Sequence, residues 1–184
     1  MATCRSPRYF FRMMTLLLWA FFFAAHARAV PNEIWITAVP HADGGSGTEL
    51  DPFDGSTALK FDALLNSFQS SPGLIIHLGA GTFESDVTAT LHWEVKPGWR
   101  VQGAGMDETT CKMVGNLAGR RWDHEFFKSA FHSSADHVVI RDLTVDCNWP
   151  GLSQTADVGL KGEKFAAIYA IDLRGSDILI ENVR

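Results

Sequence analysis

Apolar and polar positions alternate in short runs through the second half of the chain, and the runs come back. In VVIRDLTV, Val138 to Val145, Ile140, Leu143 and Val145 alternate with charged or hydroxylated neighbours, Val, Ile and Thr dominate, and a polar SSAD turn precedes. That is the pattern of a half-buried strand. Turn followed by strand occurs four times: PGLIIHLGAG from Pro72, PGWRVQGAG from Pro97, ADHVVIRDLTVDCN from Ala135 and GSDILIENVR from Gly175. The first two start 25 residues apart, and the last two superpose without a gap at an offset of 40, with Val138, Val139 and Ile140 on Ile178, Leu179 and Ile180. Each passage is too short to bury its own apolar face, so the recurrence predicts a solenoid whose passages stack as parallel strands over a shared core. Stacking puts matching positions about 4.8 Å apart. At the offset of 40 residues it sets Arg141 on Glu181, Asp142 on Asn182 and His132 on Asp172, and the first two pairings are favourable ones.

The first part of the chain reads differently. GGSGTELDPFDGS, Gly44 to Ser56, is turn-rich and acidic, and it leads into TALKFDALLNSF, where Leu59, Leu64, Leu65 and Phe68 have helical spacing. A short helix here is expected to cap the open end of the stack, where a first passage without cover exposes core and strand edge. Between the second and third passages the spacing grows from 25 to about 39 residues, and the added stretch, Gly115 to Lys128, reads GNLAGRRWDHEFFK. Insertions in stacked repeats map to loops, often on the binding face.

The N-terminus carries a targeting signal. Arg5, Arg8 and Arg12 precede an apolar run of 13 residues, Met13 to Ala25, and Ala27-Arg28-Ala29 supplies a small-x-small cleavage site. The run is shorter than the roughly 18–20 apolar residues of a membrane span. The organisation expected is therefore a signal peptide at 1–29, a lead-in segment with the capping helix at 30–71, and the first stacked passages at 72–184. Removing residues 1–29 takes away four Arg and no acid, leaving 12 Lys and Arg against 21 Asp and Glu, a net of about −9. Such a surface lacks the clustered basic footprint of a nucleic-acid binder, and a general pull on acidic polymers is absent too. Of three cysteines, Cys4 leaves with the signal; Cys111 and Cys147, 36 residues apart, are either bonded in an oxidising compartment or two thiols within the stack.

IIHLGAGTFES, GWRVQGAGMDETT and VVIRDLTVDCN, spread over about 110 residues, resemble the right-handed parallel β-helix of the pectate lyase superfamily, including its pectate lyase-like and glycoside hydrolase family 28-like members. The GSGTELDPF approach is similar to the N-terminal lead-in of secreted β-helix proteins. The resemblance implies an all-β fold with a short N-terminal capping helix, secretion to an extracellular or periplasmic space, a monomer with no membrane attachment after signal cleavage, and action on or binding of polysaccharide, acidic or plant-type. It leaves two classes open: a lyase or glycoside hydrolase, and a non-catalytic glycan-binding or adhesin protein. In the glycoside hydrolase members the catalytic carboxylates lie on central passages, and the paired-Asp, His and Arg-x-Lys motifs of that family are not found here. The expectation is an N-terminal portion of a longer protein, truncated at the C-terminus, with catalytic residues beyond residue 184.

Candidate chemistry is sparse. LIIHLGAG has the strand-then-glycine form of a dinucleotide site, but the following FESDVTATLHWEV is β-rich and the third glycine is missing, so its glycines are assigned to tight turns. His132, His137 and Asp136 match no zinc spacing, and no metal site is assigned. Asp142, Asp146 and Asp172 are the carboxylates near strands; Asp142 and Asp146 lie four residues apart on one strand, about 13 Å at 3.3 Å per residue, too far to act as a pair. Elimination chemistry would need a basic residue and a cation, calcium if the protein is a lyase; Arg100, Arg120, Arg121 and Arg141 are present without an Asp cluster beside them. The substrate-binding candidates are Trp122, placed to stack on a sugar face, with Arg120 and Arg121 to meet acidic groups.

Overall fold

The computed structural model describes residues 32–68, 72–86, 93–115, 127–148, 151–152 and 167–184. The chain divides into two compact units, Met1–Val30 and Pro31–Arg184, and every described residue belongs to the second. Residues 1–29, read from the sequence as a signal peptide, lie outside the described residues. The elements are β1 (Glu33–Thr37), β2 (Phe53–Asp54), α1 (Ala58–Ser67), β3 (Ile75–Leu78), β4 (Gly81–Asp86), β5 (Trp93–Glu94), β6 (Arg100–Gln102), β7 (Thr109–Val114), β8 (Phe127–Ser133), β9 (Val139–Asp146), β10 (Ala167–Leu173) and β11 (Leu179–Val183).

The protein is mostly β, and its strand pairings are parallel. Parallel neighbours need a crossover of a dozen or more residues, which is why partners recur at the long spacings seen in the sequence. β3 pairs β6 through Ile76 on Val101, an offset of 25, and β9 pairs β11 through Ile140 on Ile180, an offset of 40. One sheet runs β2-β1-β3-β6-β9-β7-β4 with β11 also on β9, and the other runs β5-β8-β10.

β9 belongs to two arms of the larger sheet because it turns a corner. Its first half pairs β6 and β11 and its second half pairs β7. In-and-out alternation slips by one at Arg141-Asp142, where neither residue is buried, and Asp142 takes a φ of 58°. Asp142 and Asp146 therefore do not share one straight strand; the corner, unreadable as a break in the alternating sequence, sends them to different arms. Another corner is lined by Gly73, Gly98, His137 and Asp177, with φ of 69°, 73°, 61° and 54°. Gly73 N bonds Pro97 O, Gly98 N bonds Asp136 O and His137 N bonds Ser176 O, so the corner residues stack in the same order as the strands. Of the two glycines of LIIHLGAG assigned to turns, Gly81 has a positive φ of 126° and Gly79 does not.

Inward residues make columns. Ile34, Ile76, Val101 and Ile140 are in register on β1, β3, β6 and β9, and all four are buried. Phe83, Cys111 and Val145 form a second column, and Trp93 and Phe131 a third with ring centroids 5.0 Å apart. Complete burial of a side chain of this size is worth about 1.5–3 kcal/mol, so the columns are the main source of stability. Cys111 points into this core with its thiol pushed far up by burial, and Cys147 is partly buried; both are free thiols, which decides against the bonded alternative.

The helix expected from TALKFDALLNSF forms. Thr57 caps it, its hydroxyl accepting from Lys60 N at 3.3 Å. Its buried face, however, is Phe61, Asp62 and Leu65, while Leu59 is 82% exposed. Phe61 packs on Phe83 and edge-on to Trp93, and Asp62 accepts from Ser85 Oγ at 2.7 Å, Trp93 Nε1 at 2.8 Å and Asp86 N at 3.1 Å. A buried carboxylate with three donors is satisfied rather than available, and it locks α1 onto β4 and β5. Among the described residues, no helix is long and apolar enough to cross a membrane.

Candidate functional site

Outward-facing residues also stack in register, and chemistry at the surface has to be built from these columns. On the arm β1-β3-β6-β9-β11, one column reads Trp35, His77, Gln102, Arg141, Glu181, and the column beside it Glu33, Ile75, Arg100, Val139, Leu179. Five strands at about 4.8 Å spacing give a strip about 19 Å long.

The two ends of the strip differ. At the β1 end the rings of Trp35 and His77 stack with centroids 4.3 Å apart and planes 13° apart, and His77 Nε2 lies 3.2 Å from Glu33 Oε2. Glu33 and Trp35, two residues apart on one strand, thus hold the imidazole by edge and by face. At the far end Arg141 binds Asp142 Oδ2 through Nε at 2.6 Å and faces Glu181 Oε2 at 3.5 Å, while Asn182 Nδ2 donates to Asp142 Oδ1 at 2.8 Å. Both stacked pairs expected at the 40-residue offset are present. The Asn182 amide, then Arg141, hold the Asp142 carboxyl below the usual carboxylate range, and Asp142 raises Arg141 in turn.

Which cations remain available to a ligand follows from the ion pairs. Lys60 is bound to Asp54, Lys96 to Glu94, Arg141 to Asp142, Arg174 to Asp172 and Arg184 to Asp107. Among the described residues, Arg100 and Lys112 stand outside such pairs. Arg100 is exposed. Its neighbour across the ladder is Ile75, and His77 is the diagonal one, a separation of about 7 Å between β-carbons that a long side chain spans. Trp35, His77, Arg100 and Gln102 therefore bring aromatic surface, a cation and an amide to one patch.

The carboxylates considered for glycoside cleavage are engaged structurally. Both oxygens of Asp142 are bonded as above, Asp172 accepts from Arg174 Nε at 3.0 Å and Nη2 at 2.9 Å, and Asp146 Oδ1 accepts from Asn148 N at 2.7 Å. His132 does stack in register on Asp172. His137 faces Asp177 at 3.4 Å, and Asp136 Oδ1 accepts from both N and Oγ of Ser176, which hold its carboxyl down. Among the described residues, no group of three or more His, Cys, Asp or Glu side chains is placed to hold a metal ion. Trp122, Arg120 and Arg121 lie outside the described residues.

Sequence reasoning passed over Trp35, although EIWIT alternates inward Ile34 and Ile36 with outward Glu33 and Trp35. It lies before the first recognisable passage, where no repeat drew attention to it. No protein-family model, curated protein or solved structure matches the chain.

Proposed function

We propose that this chain forms the first coils of a right-handed parallel β-helix, capped by α1, in a secreted polysaccharide-active protein of the pectate lyase-like kind acting on acidic or plant-type polysaccharide. The uniformly parallel ladders with stacked corners and inward columns support the solenoid, and the packing of Phe61 over Phe83 and Trp93 supports the cap. The observation that carries the functional reading is the patch on the β1-β3-β6 face, where an unpaired Arg100 adjoins the stacked Trp35 and His77. An aromatic face stacks on the apolar side of a sugar ring, a guanidinium meets a uronate carboxylate, and Gln102 and His77 supply hydrogen bonds to hydroxyls. Trp122, Arg120 and Arg121, which precede β8 in the sequence, carry the same aromatic and cationic chemistry and join the proposed binding residues.

Within this reading, glycan binding is favoured over cleavage for the residues of this chain, because Asp142, Asp146 and Asp172 are each engaged by a neighbour. The test is titration of the protein with a polyuronate and with a neutral polysaccharide. Trp35→Ala weakens both by about 1–3 kcal/mol, the range of a binding hot spot, and Arg100→Ala weakens the polyuronate selectively. Equal affinity of wild type and both variants for both polymers refutes the assignment of this patch.

A further inference from the structure

Three passages in succession grip the next one by the same two backbone groups, a donating corner residue and an accepting residue directly after it. Gly73 N donates to Pro97 O at 2.9 Å while Leu74 O accepts from Arg100 N at 2.9 Å. Gly98 N donates to Asp136 O at 3.1 Å while Trp99 O accepts from Val139 N at 2.9 Å. His137 N donates to Ser176 O at 3.0 Å while Val138 O accepts from Leu179 N at 2.9 Å. Each gripped passage thus offers a carbonyl and, three residues later, an N–H. The fourth corner is Asp177, whose φ of 54° repeats the 69°, 73° and 61° of Gly73, Gly98 and His137, and Ile178 follows it. Among the described residues no strand lies beyond β11, where Leu179 and Ile180 are exposed.

Side chains make this edge selective. Two and four residues after the accepting carbonyl, the gripped passages carry apolar residues: Trp99 and Val101, Val138 and Ile140, Ile178 and Ile180. The first four are buried, and Ile180 is in register on Ile140. Five residues after it comes the outward column of Gln102, Arg141 and Glu181. Glu181 meets Arg141 on one side at 3.5 Å; a cation on its other side continues the alternation, and an acid there is repelled.

We propose that the β11 edge is a docking site for one further parallel turn-and-strand passage of polypeptide. Its carbonyl accepts from Asp177 N, its N–H three residues on donates to Ile178 O, and its fifth residue is Lys or Arg set against Glu181. Main-chain bonds supply the affinity of such strand addition and the side chains its specificity. The proposal rests on the stacked reading of the fold and not on glycan binding. A second copy meeting β11 with its own β11 fits less well, because a symmetric contact brings the same edge and the same Glu181 rather than their complement. Within this chain Ala135–Asp146 carries the full pattern: Asp136 O and Val139 N for the grip, Val138 and Ile140 inward, and Arg141 fifth.

The experiment titrates the purified chain with the synthetic peptide Ala135–Asp146, ADHVVIRDLTVD, and follows amide hydrogen exchange. Saturable binding is expected, with a higher thermal midpoint and slowed exchange at Asp177 N. A peptide with Arg141→Glu is expected to bind about fivefold more weakly, and one with Val139→Pro, which lacks the N–H, about tenfold or more. Glu181→Lys in the chain is expected to invert the preference between the Arg and Glu peptides. No binding by the folded wild type, unchanged exchange at Asp177 N, or equal affinity for the Arg and Glu peptides overturns the proposal. A chain that dimerises alone with Asp177 N protected overturns it too, and gives the edge to a second copy. If Glu181→Lys does not fold, the three peptides on wild type decide. None of these outcomes alters the polyuronate titration of the Trp35 and Arg100 patch, so the two proposals fail separately.

Discussion

Ile140 and Ile180 occupy the same position on adjacent strands, directly opposite each other in register, yet Ile140 is fully buried and Ile180 is 49% exposed. The residues are chemically identical and both lie in strands; what differs is the number of strands beside them. Ile140 lies between Val101 of β6 and Ile180 of β11, whereas among the described residues β11 has β9 on one edge and no strand on the other. Burial in this molecule is thus a property of neighbouring passages more than of a passage itself, as expected of a one-dimensional stack. The largest predicted effect tests this. Ile140→Ala should cost about 2–5 kcal/mol in denaturant unfolding, the range for a large-to-small change in a closed core, and Ile180→Ala only about 1 kcal/mol, in keeping with half the buried area. Similar losses at the two sites would mean that β11 is covered in solution.

The corners offer a second form of the comparison. Gly73 and Gly103 both lie at corners, but a β-carbon at Gly73 meets nothing within 4 Å, while one at Gly103 would stand 2.2 Å from Asp142 O and 2.9 Å from the β-carbons of Leu143 and Thr109. Gly73 is needed for its φ of 69° alone, Gly103 for the close approach of β9. Gly103→Ala should cost about 1–3 kcal/mol as an overpacked site, and Gly73→Ala about 1 kcal/mol for a left-handed alanine. Thermal unfolding of the two variants would rank them; the reverse order would place the tight contact at the wrong corner.

What the sequence disclosed follows the same division. Where two passages are joined by connections of equal length, the register was legible residue by residue: Arg141 on Glu181, Asp142 on Asn182 and His132 on Asp172 all follow from one offset of 40. Where connection lengths change, it was not. β5 meets β8 at an offset of 38, β4 meets β7 at 28 and β7 meets β9 at 34, so no single shift of the sequence brings Glu94 to His132. The corner at Asp142 was hidden because Asp is tolerated in the left-handed region without a glycine to mark it. The helix was readable in position but not in facing, since burying Asp62 depends on donors from Ser85 and Trp93 that lie 23 and 31 residues away.

The smallest effect concerns charge at the corners. The early corner positions are Gly73 and Gly98, which cannot titrate, whereas the late ones include Asp142, held below the usual carboxylate range first by the amide of Asn182 and then by Arg141. A carboxyl with a lowered folded-state pKa contributes stability that is fully present above its unfolded value, about 3.9, and is lost as pH falls through the folded value. The thermal midpoint of wild type should therefore fall as pH drops below about 4, with the stacking of β11 on β9 weakening. Asp142→Asn removes the titration while keeping a residue that accepts a positive φ and an amide that can pair with Asn182. The midpoint gap between wild type and Asp142→Asn should be widest near neutral pH and narrow progressively as pH falls below about 4. Asp136, held down by both donors of Ser176, continues to titrate in the variant, so some acid sensitivity persists there. Midpoints that run parallel from neutral to acid would show that the Asp142 ladder carries no charge-dependent stability, leaving Asn182 to hold the corner as a neutral amide would.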